Sequence, residues 1–151
     1  MLPDRRLIES FKWQNKVKLF NLLKRNEVSN VVLISGDVHM AQLYENKCRS
    51  LTGQRNLIEV TSSGLSHSQK DFFPWAVKNM ILHTPKFYAI DVPYIDLNFG
   101  EMKITQTGID LMLKDYNGAV VQSKNLTYEE MKFEKSLLTY DKYCIAKSSK
   151  Q

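Results

Sequence analysis

The run Val31-Val32-Leu33-Ile34, four consecutive apolar and mostly β-branched residues closed by Ser35-Gly36, constrains this chain more than any other feature. It is too short for a helix, and its lack of alternation predicts a strand with apolar cover on both faces. Such strands belong to parallel or mixed sheets flanked by helices, so the expected fold class is α/β. Upstream, in residues 7–26, Trp13, Val17 and Phe20 recur at helical spacing with Leu19, Leu22 and Leu23 beside them. Lys12, Lys16, Lys18 and Lys24 supply a polar side, which predicts an amphipathic helix. Residues 26–30 are polar and turn-prone. Helix, short loop, buried strand and then polar residues at the strand's carboxyl end is the order that places ligands at the edge of an α/β sheet.

Residues 40–44 and 57–62 are further strand candidates, separated by the polar, glycine-containing residues 45–56. Residues 64–83 carry Phe72, Phe73, Trp75, Val77, Met80 and Ile81 and read as a short helix or a packed loop after Pro74. From Phe99 the pattern alternates. Met102, Ile104 and Gln106 oppose Glu101, Lys103 and Thr105; Ile109, Leu111 and Leu113 then oppose Asp110, Met112 and Lys114. Period two marks half-buried strands. The turn Asp115-Tyr116-Asn117-Gly118 leads into residues 119–124, which predicts a terminal antiparallel meander. Residues 127–151, rich in Glu, Lys and Ser, read as an extension with a short helix and a flexible tail, leaving residues 1–126 as the main domain portion.

With 151 residues, 43% hydrophobic and 25% charged, the chain has material for one sizeable core. Its net charge of +5 comes from 21 basic and 16 acidic side chains interspersed along the chain, without a recognisable nucleic-acid module. A mildly positive field also suits an anionic, phosphorylated substrate. Cys48 and Cys144 lie far apart and lack the close Cys or His spacing of a zinc site, so both are expected as free thiols. No stretch approaches the roughly 20 apolar residues that span a bilayer. Asn125-Leu126-Thr127 matches an N-glycosylation acceptor, a signal that acquires weight only where other evidence points to the secretory route.

Asp37 and His39 follow the apolar run and a glycine. If strand geometry persists, residues i and i+2 point the same way, and a carboxylate and an imidazole converge on one metal site. Oxygen and nitrogen donors together suit Zn, Mn or Fe, with Ca where oxygen dominates. Gly36 lets backbone and substrate approach closely. By spacing alone a plainer reading competes, with Asp37 capping a turn and His39 hydrogen-bonded and half-buried.

Ser35-Gly36-Asp37-Val38-His39, behind its apolar run, resembles the late motif of the alkaline phosphatase D (PhoD-like) metallophosphatase family, within the calcineurin-like phosphoesterase superfamily. Thr61-Ser62-Ser63-Gly64-Leu65-Ser66-His67-Ser68 resembles the family's next segment, and Asn98-Phe99-Gly100 resembles the opening of its terminal meander, in the same order and spacing. The resemblance implies the C-terminal half of a layered metallophosphoesterase β-sandwich flanked by helices. It further implies a binuclear divalent or trivalent metal centre of Fe, Zn or Mn, with Ca or Mg, His39 on one ion and Asp37 on the other. The implied activity is hydrolysis of phosphate esters, either phosphorylated small molecules or phosphodiesters. His67 is implied as a phosphate contact or proton donor, with packing or support of a ligand as the alternative.

Where the wider superfamily usually has histidine, this chain has Asp37, which implies a harder second ion. The family's upstream Asp-rich and Asn-containing motifs have no counterpart in residues 1–30, which hold Asp4 and no histidine. His83, beside Met80, Ile81 and Leu82, reads as a core or surface residue. The chain alone is therefore expected to supply an incomplete site, completed by a missing N-terminal half or by self-association. Unpartnered apolar strand edges would favour dimerisation or aggregation. Any targeting signal of a secreted or endomembrane parent would lie upstream. The alternative function is a non-catalytic binding or interaction domain derived from a metallophosphatase.

Overall fold

A computed structural model describes residues 13–46, 48–72 and 89–139. Helix α1 (Trp13–Arg25) turns Phe20 fully inward, with Leu19 and Leu23 half-buried, while Val17 and Leu22 face solvent. The apolar stripe is thus narrower than the spacing predicts. Lys24 and Arg25 sit in the last turn, where the helix dipole favours cations. The Asn26 backbone and side-chain amides both donate to the Leu22 carbonyl, at 3.1 and 2.8 Å, and Glu27 turns left-handed with φ 49° to end the helix.

The strands make two three-stranded sheets among the described residues. The first contains β1 (Val32–Ser35), β2 (Ala41–Asn46) and β3 (Leu57–Ser62) in the order β1-β3-β2, with β1 parallel and β2 antiparallel to β3. Helix α2 (Gln69–Phe72) precedes the second sheet, an antiparallel meander of β4 (Asn98–Ile104), β5 (Gly108–Asp115) and β6 (Val120–Thr127). The molecule is therefore mixed α/β, with few helices. Ala41, Leu43, Ile58 and Val60 of the first sheet meet Ile109, Leu111, Leu113 and Leu126 of the second in one core, which Met131 joins. Each fully buried Leu, Ile, Val or Met side chain of this set contributes about 1.5–3 kcal/mol.

The β5 alternation is as predicted: Ile109, Leu111 and Leu113 are buried and the residues between them half-buried. In the β5–β6 turn only Gly118 is left-handed, with φ 85°, and the Asp115 carboxylate accepts the backbone N–H of Asn117 and of Ala119 at 2.9 and 2.8 Å. After β6 the chain returns to the first sheet. Asn30 N–H donates to the Met131 carbonyl at 2.8 Å, Phe133 N–H donates to Ser29 Oγ at 2.9 Å, and Gln54 bridges to Phe133.

Three expectations change. The apolar run forms a strand, but β1 is an edge strand with β3 as its neighbour among the described residues, and Ile34 is 73% exposed. The strand buried on both faces is β3, despite Glu59 and Thr61, because a central position rather than apolar content decides cover. Likewise β4 is exposed beyond Phe99. Met102 and Ile104 pair with Leu111 and Ile109 and so share the core-facing side, yet described residues leave them open. Met102 and Leu65 help line a cavity of about 270 Å3 beside Ile34 and Val60. Third, Cys48 is disulfide-bonded rather than free. Sequence separation misleads here because the segment after β6 packs back onto the loop that carries Cys48 and the 3-10 turn Arg49–Leu51.

Of the apolar residues read as a short helix or a packed loop after Pro74, Phe72 alone is described, as the last residue of the four-residue helix α2, and the others lie outside the described residues. The first residues of the predicted N-terminal helix, residues 73–88 with His83, Cys144 and the C-terminal tail lie outside the described residues.

Tyr44 stands opposite Glu59 across β2 and β3, and its phenol is pushed up to about 12 by burial first and by the Glu59 charge second. The unfolded chain releases this proton near pH ~10. Stability tied to Tyr44 is hence complete below that pH and is lost as pH rises through the folded value, by roughly 2–3 kcal/mol. Urea unfolding at stepped alkaline pH should show this decline in the wild type and a shallower one in Tyr44→Phe.

Candidate metal-ligand loop

Because β1 and β3 run parallel with Ser35 opposite Thr61, the loops that follow them leave the sheet side by side. A Ser35 Oγ to Thr61 Oγ1 contact of 2.7 Å ties the two strand ends. This pairing brings the two sequence motifs, 35–39 and 61–68, to one place. Strand geometry does not persist past Ser35. Asp37 and His39 both turn left-handed, with φ 69° and 54°, so the i, i+2 alternation expected to align them does not apply. Aspartate and histidine tolerate this region better than most residues, at a cost on the order of 1–2 kcal/mol each.

The second loop holds the first in this shape. Ser63 Oγ accepts the backbone N–H of Val38 at 3.1 Å and of His39 at 2.9 Å. Ser63 N–H donates to the Met40 carbonyl at 3.3 Å. At the start of α2, Gln69 donates its backbone N–H to the His39 carbonyl at 2.9 Å and its side-chain amide to the Val38 carbonyl at 2.6 Å. A Cβ on Gly36 would lie 3.3 Å from the Ser63 Cβ, so glycine permits the close approach of the two loops.

His39 is half-buried, and its ring centroid lies 6.2 Å from that of His67 with the planes at 70°. His67 is exposed, with Nδ1 3.0 Å from Ser66 Oγ, and Asp37 is exposed on the turn. The third motif reaches the same region through Asn98, which is buried at the head of β4. Its Oδ1 accepts Ser62 Oγ–H at 3.1 Å and Gly64 N–H at 3.3 Å, and its Nδ2 donates to the Asp96 carbonyl at 2.7 Å. A Cβ on Gly64 would fall 2.0 Å from Asn98 Nδ2, which excludes any side chain there.

All three sequence motifs thus meet at the carboxyl end of the first sheet. Ser63, Gln69 and Asn98, which support the loop, carried no sequence signal of that role: serine, glutamine and asparagine are ordinary loop residues until their partners are known. His83 lies outside the described residues.

The donors present are a carboxylate oxygen and imidazole nitrogens, which fit borderline or hard divalent ions in type. Among the described residues no group of three or more His, Cys, Asp or Glu side chains is placed to hold an ion. The donors are thus of a type that suits such ions, but the described residues do not gather them into a metal site. No family model, curated protein or solved structure matches this chain.

Ser63→Ala removes the shared acceptor of two amides. Hydrogen exchange at Val38 and His39 should accelerate roughly fivefold or more, as about 1 kcal/mol of net hydrogen bonding implies. Asn98→Ala strands the buried Gly64 N–H and Asp96 carbonyl, and denaturant unfolding should report a loss of roughly 2 kcal/mol or more.

Proposed function

We propose that this chain is the C-terminal portion of a PhoD-like metal-dependent phosphoesterase, in which Asp37 and His39 are metal ligands. The observation that carries the reading is the pair of left-handed, non-glycine residues with ligand-type side chains at the carboxyl end of a parallel strand. Backbone strain of this kind concentrates at functional sites, where surrounding structure over-determines it. Ser63 and Gln69 supply that over-determination, and the nearby His67 adds a second imidazole.

In this reading Asp37 and His39 each hold one ion of a binuclear centre, with Ca or Mg favoured at Asp37 and Fe, Zn or Mn at His39. Bound metals would polarise the phosphoryl group and activate water for in-line attack. His67, exposed on the adjacent loop, hydrogen-bonds a phosphate oxygen or protonates the leaving group. The remaining ligands and pocket walls come from a further segment or a second copy seated on the edge of β1 that the described residues leave unpaired, beside the apolar side chains of Ile34, Leu65 and Met102.

Calorimetric titration of the chain with Mn2+ should give weak binding that Asp37→Asn and His39→Ala each reduce roughly tenfold or more, at least the loss that even a ligand-supporting residue brings. Binding unchanged in both variants would overturn the ligand assignment. No Mn2+ binding by the wild type would favour the non-catalytic interaction domain, and full phosphatase activity from this chain alone would overturn its incompleteness.

A further inference from the structure

We propose that Asn125 carries an N-linked glycan. Asn125-Leu126-Thr127 is the only Asn-x-Ser/Thr triplet in the chain. A triplet alone is weak evidence, and two structural observations add to it. Cys48 is disulfide-bonded, and in most organisms such bonds persist in oxidising compartments, through which secreted and endomembrane proteins pass. Asn125 is exposed on β6, which among the described residues is an edge strand of its sheet, while its neighbour Leu126 is fully buried in the core. The acceptor side chain hence points to solvent and the intervening residue anchors the strand.

The chemistry is compatible with the fold. The Asn125 side-chain nitrogen attacks C1 of an oligosaccharide carried on a lipid diphosphate. An N–C1 bond forms, the C1–O bond breaks, lipid diphosphate leaves, and one amide proton passes to a base of the transferring enzyme. Asn125 Nδ2 keeps one hydrogen, sufficient for the hydrogen bond it donates to Asp110 Oδ1 across the sheet. Thr127, whose hydroxyl the acceptor triplet requires, donates to Glu130 Oε2 at 2.9 Å in the folded chain. Transfer therefore precedes closure of the turn after β6 and takes place on the nascent chain. Once folded, the glycan stands beside the edge of β6 that the described residues leave unpaired and opposes pairing with another strand there.

Protein isolated from its own cells, digested and treated with peptide:N-glycosidase, should yield the residue-125 peptide almost wholly converted from Asn to Asp. The full chain routed through a eukaryotic secretory pathway should lose one glycan's worth of apparent mass on the same treatment. Asn125→Gln and Thr127→Ala should each abolish that shift, and Thr127→Ser should retain it, separating loss of the acceptor from misfolding. Recovery of the peptide with Asn125 unmodified from the native protein would overturn the proposal, as would a glycosidase-sensitive shift that survives Asn125→Gln.

Discussion

The parallel pairing of β1 with β3 is the constraint on which the rest of the candidate site depends. Parallel neighbours end on the same edge of a sheet, so the loop after each emerges beside the other, whatever the length of chain between them. The loop after β1 bears Asp37 and His39; the loop after β3 bears Ser63 and His67. Were the pairing antiparallel, these loops would leave from opposite ends and Ser63 could not bridge the two amides it now accepts. The left-handed turn at Asp37 and His39 survives because that bridge, the two Gln69 bonds and the close approach at Gly36 act together against a strain of a few kcal/mol.

A second constraint follows from which strands are central. β3 is covered on both faces and both edges, so it holds Glu59 and Thr61 inside at the cost of desolvating them, and the Glu59 charge contributes to the raised proton affinity of Tyr44. Among the described residues β1 and β4 lie at edges, and Ile34, Met102 and Ile104 are exposed on surfaces whose composition suits burial. An apolar region of this kind, next to a strained loop with ligand-type side chains, is the observation behind the proposal that a further segment or a second copy seats there.

The segment after β6 ties the far end of the described chain back to the loops of the first sheet. By returning from β6 to the loops around Ser29, Gln54 and Cys48, it closes the first sheet's lower connections and brings distant sequence next to Cys48. The disulfide at Cys48 and the exposed Asn125 are the two structural observations on which the glycan proposal rests.

Much of the local structure was legible in the sequence: helical spacing around Phe20, the strand at residues 57–62, the alternation through Ile109, Leu111 and Leu113, and the glycine turn at Gly118 all follow from short-range periodicity and backbone preference. The three motifs were visible as strings. Their meeting was not, because it depends on strand order and on Asn98 reaching Ser62 and Gly64 across the fold. Nor did the run at residues 31–34 disclose that it would lie at an edge, or the cysteine spacing that Cys48 would be bonded. Apolar pattern says which side chains favour burial; only the assembled sheets decide which of them are covered, since cover is supplied by residues remote in the chain.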